Sequence, residues 1–263
     1  MTPAPGADPE GGGAPPAGEG PAAAVTARLA EVRDRIAAAG GDPARVTVVA
    51  VTKGFGADSV RAALAAGIRD VGENYAGELL AKSQEVGAQS PGEASMGAAG
   101  GAGEAASPPR WHYLGAVQRN KVARLAPVVT CWQSLCRAVE GRAIARHRPG
   151  ASVLVQVDLA GLPGRGGVAR SEVPGLVTCL RDEGVEVDGL MAVGMPGPPE
   201  ASRRGFRDVV RLADELGLPV RSLGMSNDLE VAVGEGSTMV RIGRALFGAR
   251  PVRPPRAVRE GGS

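Results

Sequence analysis

One pattern constrains the fold of this chain more than any other: short apolar runs alternate with segments whose apolar residues recur at helical spacing. The strongest run is Arg45-Val-Thr-Val-Val-Ala-Val-Thr-Lys53, which breaks at Gly54. An almost continuous β-branched run ended by a turn residue reads as a strand, here over 45–52, buried on both faces. Further strands are expected near 68–72, 111–115, 127–132, 153–159, 185–191, 220–223 and 238–242. Helices are expected from Asp58, as N-cap, to Ala66, then over 76–87, 120–126, 134–147, 171–183 and 199–216. A helix opened by Ser226 and closed at Gly234, and a short one reaching Gly248, complete the series. Eight strand–helix units with short connections predict a closed parallel (β/α)8 barrel of the TIM type. Val25, Leu29, Val32 and Ile36 add one helix in front of it, stopped by Gly40-Gly41. An open doubly wound sheet is the alternative, but no early Gly-x-Gly-x-x-Gly turn supports it.

Composition narrows the function. Hydrophobic residues make up 43% of the 263 and aromatics only 3%, so the core must be aliphatic. A net charge of +2 with interspersed signs leaves no footprint for nucleic acid. Cys131, Cys136 and Cys179 are odd in number and lack metal spacing, which suits free thiols in a reducing compartment. There is no basic-then-apolar leader and no run of membrane-spanning length, so a cytoplasmic location with no membrane partner is expected; separately, a monomer is expected. Residues 1–23 are Gly, Pro and Ala with a few acids and read as a disordered tail. The barrel should then occupy 24–250, with a flexible insertion at about 89–109 and a loose tail over 251–263.

Four motifs fall at the C-terminal ends of strands, the face on which such barrels carry their chemistry. They are Lys53, Gly72-Glu-Asn-Tyr75, Gly224-Met-Ser-Asn-Asp228 and Arg241-Ile-Gly243. Lysine is scarce: only Lys53, Lys82 and Lys121 occur among 30 basic residues, and arginine fills the other places. A lysine at a strand end can simply extend its amine to water. It can also lose a proton and attack a carbonyl, which arginine cannot do. Ser226 can cap a helix and leave backbone N–H groups free for an anion, and Gly243 keeps a Cβ away from one. Together with Lys53 these residues describe a pocket for an aldehyde that carries a phosphate. Lys82 and Lys121 read as helix-surface or rim charges, and the cysteines as small apolar fillers. His112 reads as a hydrogen-bonded histidine and His147 as a helix-end residue without a role, while Glu73 and Asp158 show no evident partner in the sequence.

The ordered motifs Val-Thr-Lys53, Gly72-Glu-Asn-Tyr75, Trp111-His-Tyr-Leu-Gly115, Gln118-Arg-Asn-Lys121, Gly189-Leu-Met191, Gly224-Met-Ser-Asn-Asp228 and Val240-Arg-Ile-Gly243 resemble the pyridoxal phosphate homeostasis protein family. Its barrel is similar to the N-terminal domain of alanine racemase. The resemblance implies pyridoxal 5'-phosphate held as a Schiff base on Lys53, phosphate contacts from Ser226 and Gly243, and Asn74 and Met225 lining the pocket. It implies Arg241 at the pyridine nitrogen, where a guanidinium donates a hydrogen bond and keeps its proton, muting carbanion chemistry. The implied role is intracellular homeostasis of the cofactor with little turnover, with apo-enzymes that use it as partners. A racemase is the alternative, but no second base is evident and no β-rich segment follows Gly248. A cofactor-free Schiff-base aldolase has less support. Two segments depart from the family pattern: 158–167, and Cys131-Trp-Gln-Ser134.

Overall fold

The computed structural model describes residues 20–87, 108–161 and 166–250. Most of the expected tail and insertion, and all of 251–263, lie outside the described residues. Helix α1 (Pro21–Ala38) leads into β1 (Thr47–Val51), α2 (Ala57–Ala65), β2 (Asp70–Glu73), α3 (Ala76–Gly87) and β3 (Arg110–Tyr113). The chain continues through α4 (Arg119–Leu125), β4 (Val129–Leu135), α5 (Ala138–Ala145), β5 (Ser152–Val157), α6 (Val173–Asp182) and β6 (Glu186–Ala192). It ends with α7 (Arg203–Glu215), β7 (Val220–Ser222), α8 (Leu229–Gly234), β8 (Met239–Ile242) and α9 (Arg244–Phe247). The strands pair in parallel in chain order, and β8 pairs back on β1 to close the barrel.

Side chains alternate between the barrel axis and the helix layer, so register assigns every face. Gln133 on β4 bonds Ser222 on β7, and these strands are not neighbours, so both side chains point inward. Arg241 bonds the same Ser222, and its register partner Val49 shares that inner face. The outer face of the strands packs on the helices through a mainly aliphatic core, Val71, Leu79 and Leu180 among it, in which Trp132 and Phe206 are the largest fully buried side chains. Helix α1 buries Val25, Leu29, Val32 and Ile36 against Val240, Ile242 and Leu246. Burying such side chains is worth roughly 1.5–3 kcal/mol each. The helix is therefore an integral part of the barrel wall.

Several boundaries differ from expectation. The first strand starts at Thr47, not Arg45, because Arg45 and Val46 close a turn on the Asp42 carbonyl. Helix α1 begins at Pro21, inside the stretch expected to be disordered. Asp58 lies within the first turn of α2, and Gly56 occupies the cap position. Strand β4 runs on to Leu135, so Ser134 is a strand residue and α5 starts only at Ala138. Ser226 does not open α8: that helix starts after Asp228, whose Oδ1 accepts the Met225 N–H at 2.6 Å.

Candidate functional site

The mouth is built where β7, β8, β1 and β2 end side by side. Val51 is level with Gly72, and Ala50 with Ile242, so the residues following these strands share one rim. Thr52 turns its hydroxyl outward to Glu73 Oε1 at 2.6 Å. Alternation then brings the next side chain, Lys53, to the barrel side. Burial lowers the Lys53 pKa below 10.5; Arg250 and Arg241 lower it further, and Glu73 acts against them. The neutral amine is therefore more accessible than in an exposed lysine.

Arg241 is buried inside the barrel beside it. Nη1 donates to Ser222 O at 2.5 Å and to Ser222 Oγ at 2.7 Å, and Nη2 donates to Ala192 O at 2.7 Å. Burial pulls its pKa down to about 10, with Asp228 opposing, so it remains a cation at neutral pH. Behind it a polar chain crosses the barrel. Ser222 Oγ donates to Gln133 Oε1 at 2.7 Å, and Gln133 Nε2 lies 2.7 Å from His112 Nδ1. His112 Nε2 lies 2.8 Å from Asp70 Oδ1, and Arg110 holds both oxygens of Asp70. Each donor finds an acceptor when His112 carries its proton on Nε2.

Asn74, two residues beyond inward-facing Gly72, has a buried Oδ1 with no hydrogen-bond partner. Among the described residues the Ser226 and Gly243 N–H groups find no protein acceptor. A Cβ on Gly243 would lie 3.2 Å from the Val51 carbonyl oxygen, a tight contact that glycine avoids. Ser226 Oγ ties the two loops together by accepting the Ala245 N–H at 3.3 Å. Met225 and Tyr75 stand exposed at the rim. Lys53, Asn74, Met225, Ser226, Arg241 and Gly243 thus meet at one end of the barrel. This donor set fits pyridoxal phosphate: an amine with a lowered pKa, two unpaired backbone donors, an unpaired buried acceptor, and a buried cation.

Other expectations changed. Lys82 is not a surface charge: it is buried and bonds Glu73 at 2.5 Å and Thr52 O at 2.7 Å. Glu73 thereby gains the partners it lacked in the sequence. The signal lay in spacing, since Lys82 falls on the same helical stripe as buried Leu79 and Val86. Lys121 lines a groove of about 390 Å³ with Ala76, Leu80, Gln84 and Arg124, none of which is among the six expected site residues. Asp158 accepts the Ala160 and Gly161 N–H groups and shapes its own loop. His147 is exposed, as is Cys179, which is therefore no core filler, whereas Cys131 packs on Leu154 and Met191.

The alanine racemase N-terminal domain family matches residues 22–251. A protein of Pseudomonas aeruginosa named pyridoxal phosphate homeostasis protein is 36% identical over 234 residues, covering 86% of this chain and 94% of its own. The chain belongs to the pyridoxal phosphate homeostasis protein family. A Mycobacterium tuberculosis member of the same name is 35% identical over 260 residues, covering 88% and 95%. PipY of Synechococcus elongatus, solved with pyridoxal phosphate bound, is 27% identical and superposes with a TM-score of 0.67, covering 85% of this chain and 100% of its own. Among the described residues no group of three His, Cys, Asp or Glu could hold a metal, and no helix is long and apolar enough to cross a membrane.

Proposed function

We propose that this protein holds pyridoxal 5'-phosphate on Lys53 and serves cofactor homeostasis with little turnover, in preference to acting as an amino-acid racemase. The observation that carries this reading is the convergence of a depressed-pKa lysine with the unpaired donors of Ser226 and Gly243 on one rim. When bound, pyridoxal phosphate supplies an aldehyde, a phosphate anion and an aromatic ring nitrogen. Lys53 would hold the aldehyde through its amine, whose lowered pKa favours the neutral, nucleophilic form. Ser226 and Gly243 would donate backbone N–H groups to the phosphate, with no Cβ at Gly243 to block it. Asn74 and Met225 would line the pocket. Arg241 would donate to the ring nitrogen and keep its own proton, because its terminal nitrogens are already fixed by Ser222 and Ala192. That arrangement binds the ring without making it a strong electron sink, which favours holding over turnover. The same reading places a monomer in the cytoplasm, with cofactor-dependent apo-enzymes as recipients.

The test is the visible spectrum of the purified protein with pyridoxal phosphate, before and after borohydride reduction, followed by peptide mapping. The label is expected on Lys53, and Lys53→Ala should remove the yellow adduct while leaving the circular dichroism spectrum unchanged. A label on Lys82 or Lys121 would overturn the assignment.

A further inference from the structure

Lys53 sits in a four-residue turn. The Phe55 N–H donates to the Thr52 carbonyl at 3.0 Å, and Gly54 takes φ 79°, a value side-chain-bearing residues rarely adopt. Such a turn has few contacts of its own, yet both peptide groups next to Lys53 are held from helix α3. Lys82 Nζ donates to the Thr52 oxygen at 2.7 Å, and Glu78 Oε2 accepts the Gly54 N–H at 2.8 Å. Lys82 is itself fixed, bonding Glu73 Oε1 at 2.5 Å and lying 3.5 Å from Glu78 Oε2, so its three donors are committed. We propose that Glu78 and Lys82 are positioning residues for Lys53, clamping the backbone on both sides of it so that its amine meets an aldehyde from an ordered turn.

This inference rests on the reading of Lys53 as the attachment site and names what holds that site ready. The residues serve different ends. Lys82 is buried and paired with Glu73, so it also belongs to the packing between β2 and α3. Glu78 keeps 30% of its side chain exposed, and its bond to Gly54 closes no core. A purely structural account gives Glu78 no effect on attachment; the clamp does. Fixing one free residue's φ and ψ costs roughly a factor of ten, which sets the scale expected.

The experiment compares full-length wild type, Glu78→Leu and Glu78→Gln. It follows the rate of visible-band formation with pyridoxal phosphate and with unphosphorylated pyridoxal, and the amide exchange of Gly54 without cofactor. Glu78→Leu is expected to slow both ligands by the same factor, on the order of tenfold, and to lose Gly54 protection. Glu78→Gln keeps an oxygen that accepts from Gly54 and should restore most of the rate and the protection. Competition by inorganic phosphate should be unchanged, because the β7 and β8 loops are untouched. A wild-type rate in Glu78→Leu, or a Glu78→Gln as slow as Glu78→Leu, would overturn the clamp alone. A wild type that forms no adduct on Lys53 would overturn the functional reading and the clamp with it.

Discussion

Strand β2 carries two buried carboxylates, Asp70 and Glu73, on its opposite faces, and the protein treats them in opposite ways. Burial raises the pKa of both. For Asp70 the hydrogen bonds from His112 and Arg110 more than reverse that, leaving it below 3.8. For Glu73 the bonds from Lys82 and Thr52 recover only part, and it stays above 4.5. The contrast follows how donors are distributed between the two oxygens. Asp70 Oδ1 takes His112 and Arg110 Nε, and Oδ2 takes Arg110 Nη2. Glu73 Oε1 takes both Thr52 and Lys82, while Oε2 is buried without a partner. Burial alone therefore does not set the direction of a carboxylate's shift; hydrogen-bond donors and neighbouring charges join it, and the charge of Glu78 adds to the rise at Glu73. The two faces also work differently for the site. Inside, a chain of largely neutral groups reaches from Asp70 to the guanidinium of Arg241. Outside, a direct ion pair holds the backbone next to Lys53.

The largest effect should come from breaking the outer face. Glu73→Leu leaves the Lys82 ammonium buried opposite a hydrocarbon and should cost about 3–5 kcal/mol, read from urea unfolding. Adding Lys82→Met should recover much of that loss, because two apolar residues can replace a buried pair at little cost. A double variant no more stable than Glu73→Leu would mean that the hydrogen bonds to Thr52 matter more than the charge pair.

The inner face should respond less. Gln133→Leu leaves Ser222 Oγ and His112 Nδ1 without their partners, for about 1–3 kcal/mol per buried group left unmet. Ser222 would be free to rotate, and Arg241 would lose part of what aims it. The visible band of bound pyridoxal phosphate should therefore shift its pH midpoint in this variant, while inorganic phosphate competes as before. An unchanged spectrum would confine the chain to stability and detach it from the ring.

These assemblies differ in how far the sequence revealed them. The strands were legible because apolar runs such as 45–52 need no distant information. Lys53 stood out because lysine is rare and lies at a strand end. Lys82 carried a local sign, its place on the stripe of Leu79 and Val86, but a charged residue in an otherwise exposed-looking helix was read as surface. The Gln133–Ser222 bond had no local sign, since it joins residues 89 apart on strands that meet only across a barrel axis. Its one trace was negative, in that Cys131-Trp-Gln-Ser134 departs from the family pattern. Ser226 failed for another reason: Ser226, Asn227 and Asp228 can all cap a helix, and propensity does not choose among them. In the structure α8 starts after Asp228, whose carboxylate turns back to the Met225 N–H and makes no side-chain cap bond to the helix.

The smallest effect is a difference in slope with pH, and it tests the two carboxylates directly. Asp70 has a folded pKa below its unfolded value near 3.8. Its contribution is present above that value and is lost as pH falls through the folded pKa. Glu73 has a folded pKa above 4.5, so its contribution has the opposite sign: it is present below 4.5 and is lost as pH rises through the folded pKa. Acidifying from neutrality should first gain stability through Glu73 and only later lose it through Asp70. Unfolding free energies measured in urea from pH 7 to pH 3 should show Glu73→Gln without the early gain and Asp70→Asn with a shallower late loss. Because the two groups lie on opposite faces with separate partners, the double variant should show both changes added together. If Glu73→Gln and Asp70→Asn altered the same part of the curve in the same direction, the unpartnered Oε2 would not be what distinguishes the outer face of β2 from the inner one.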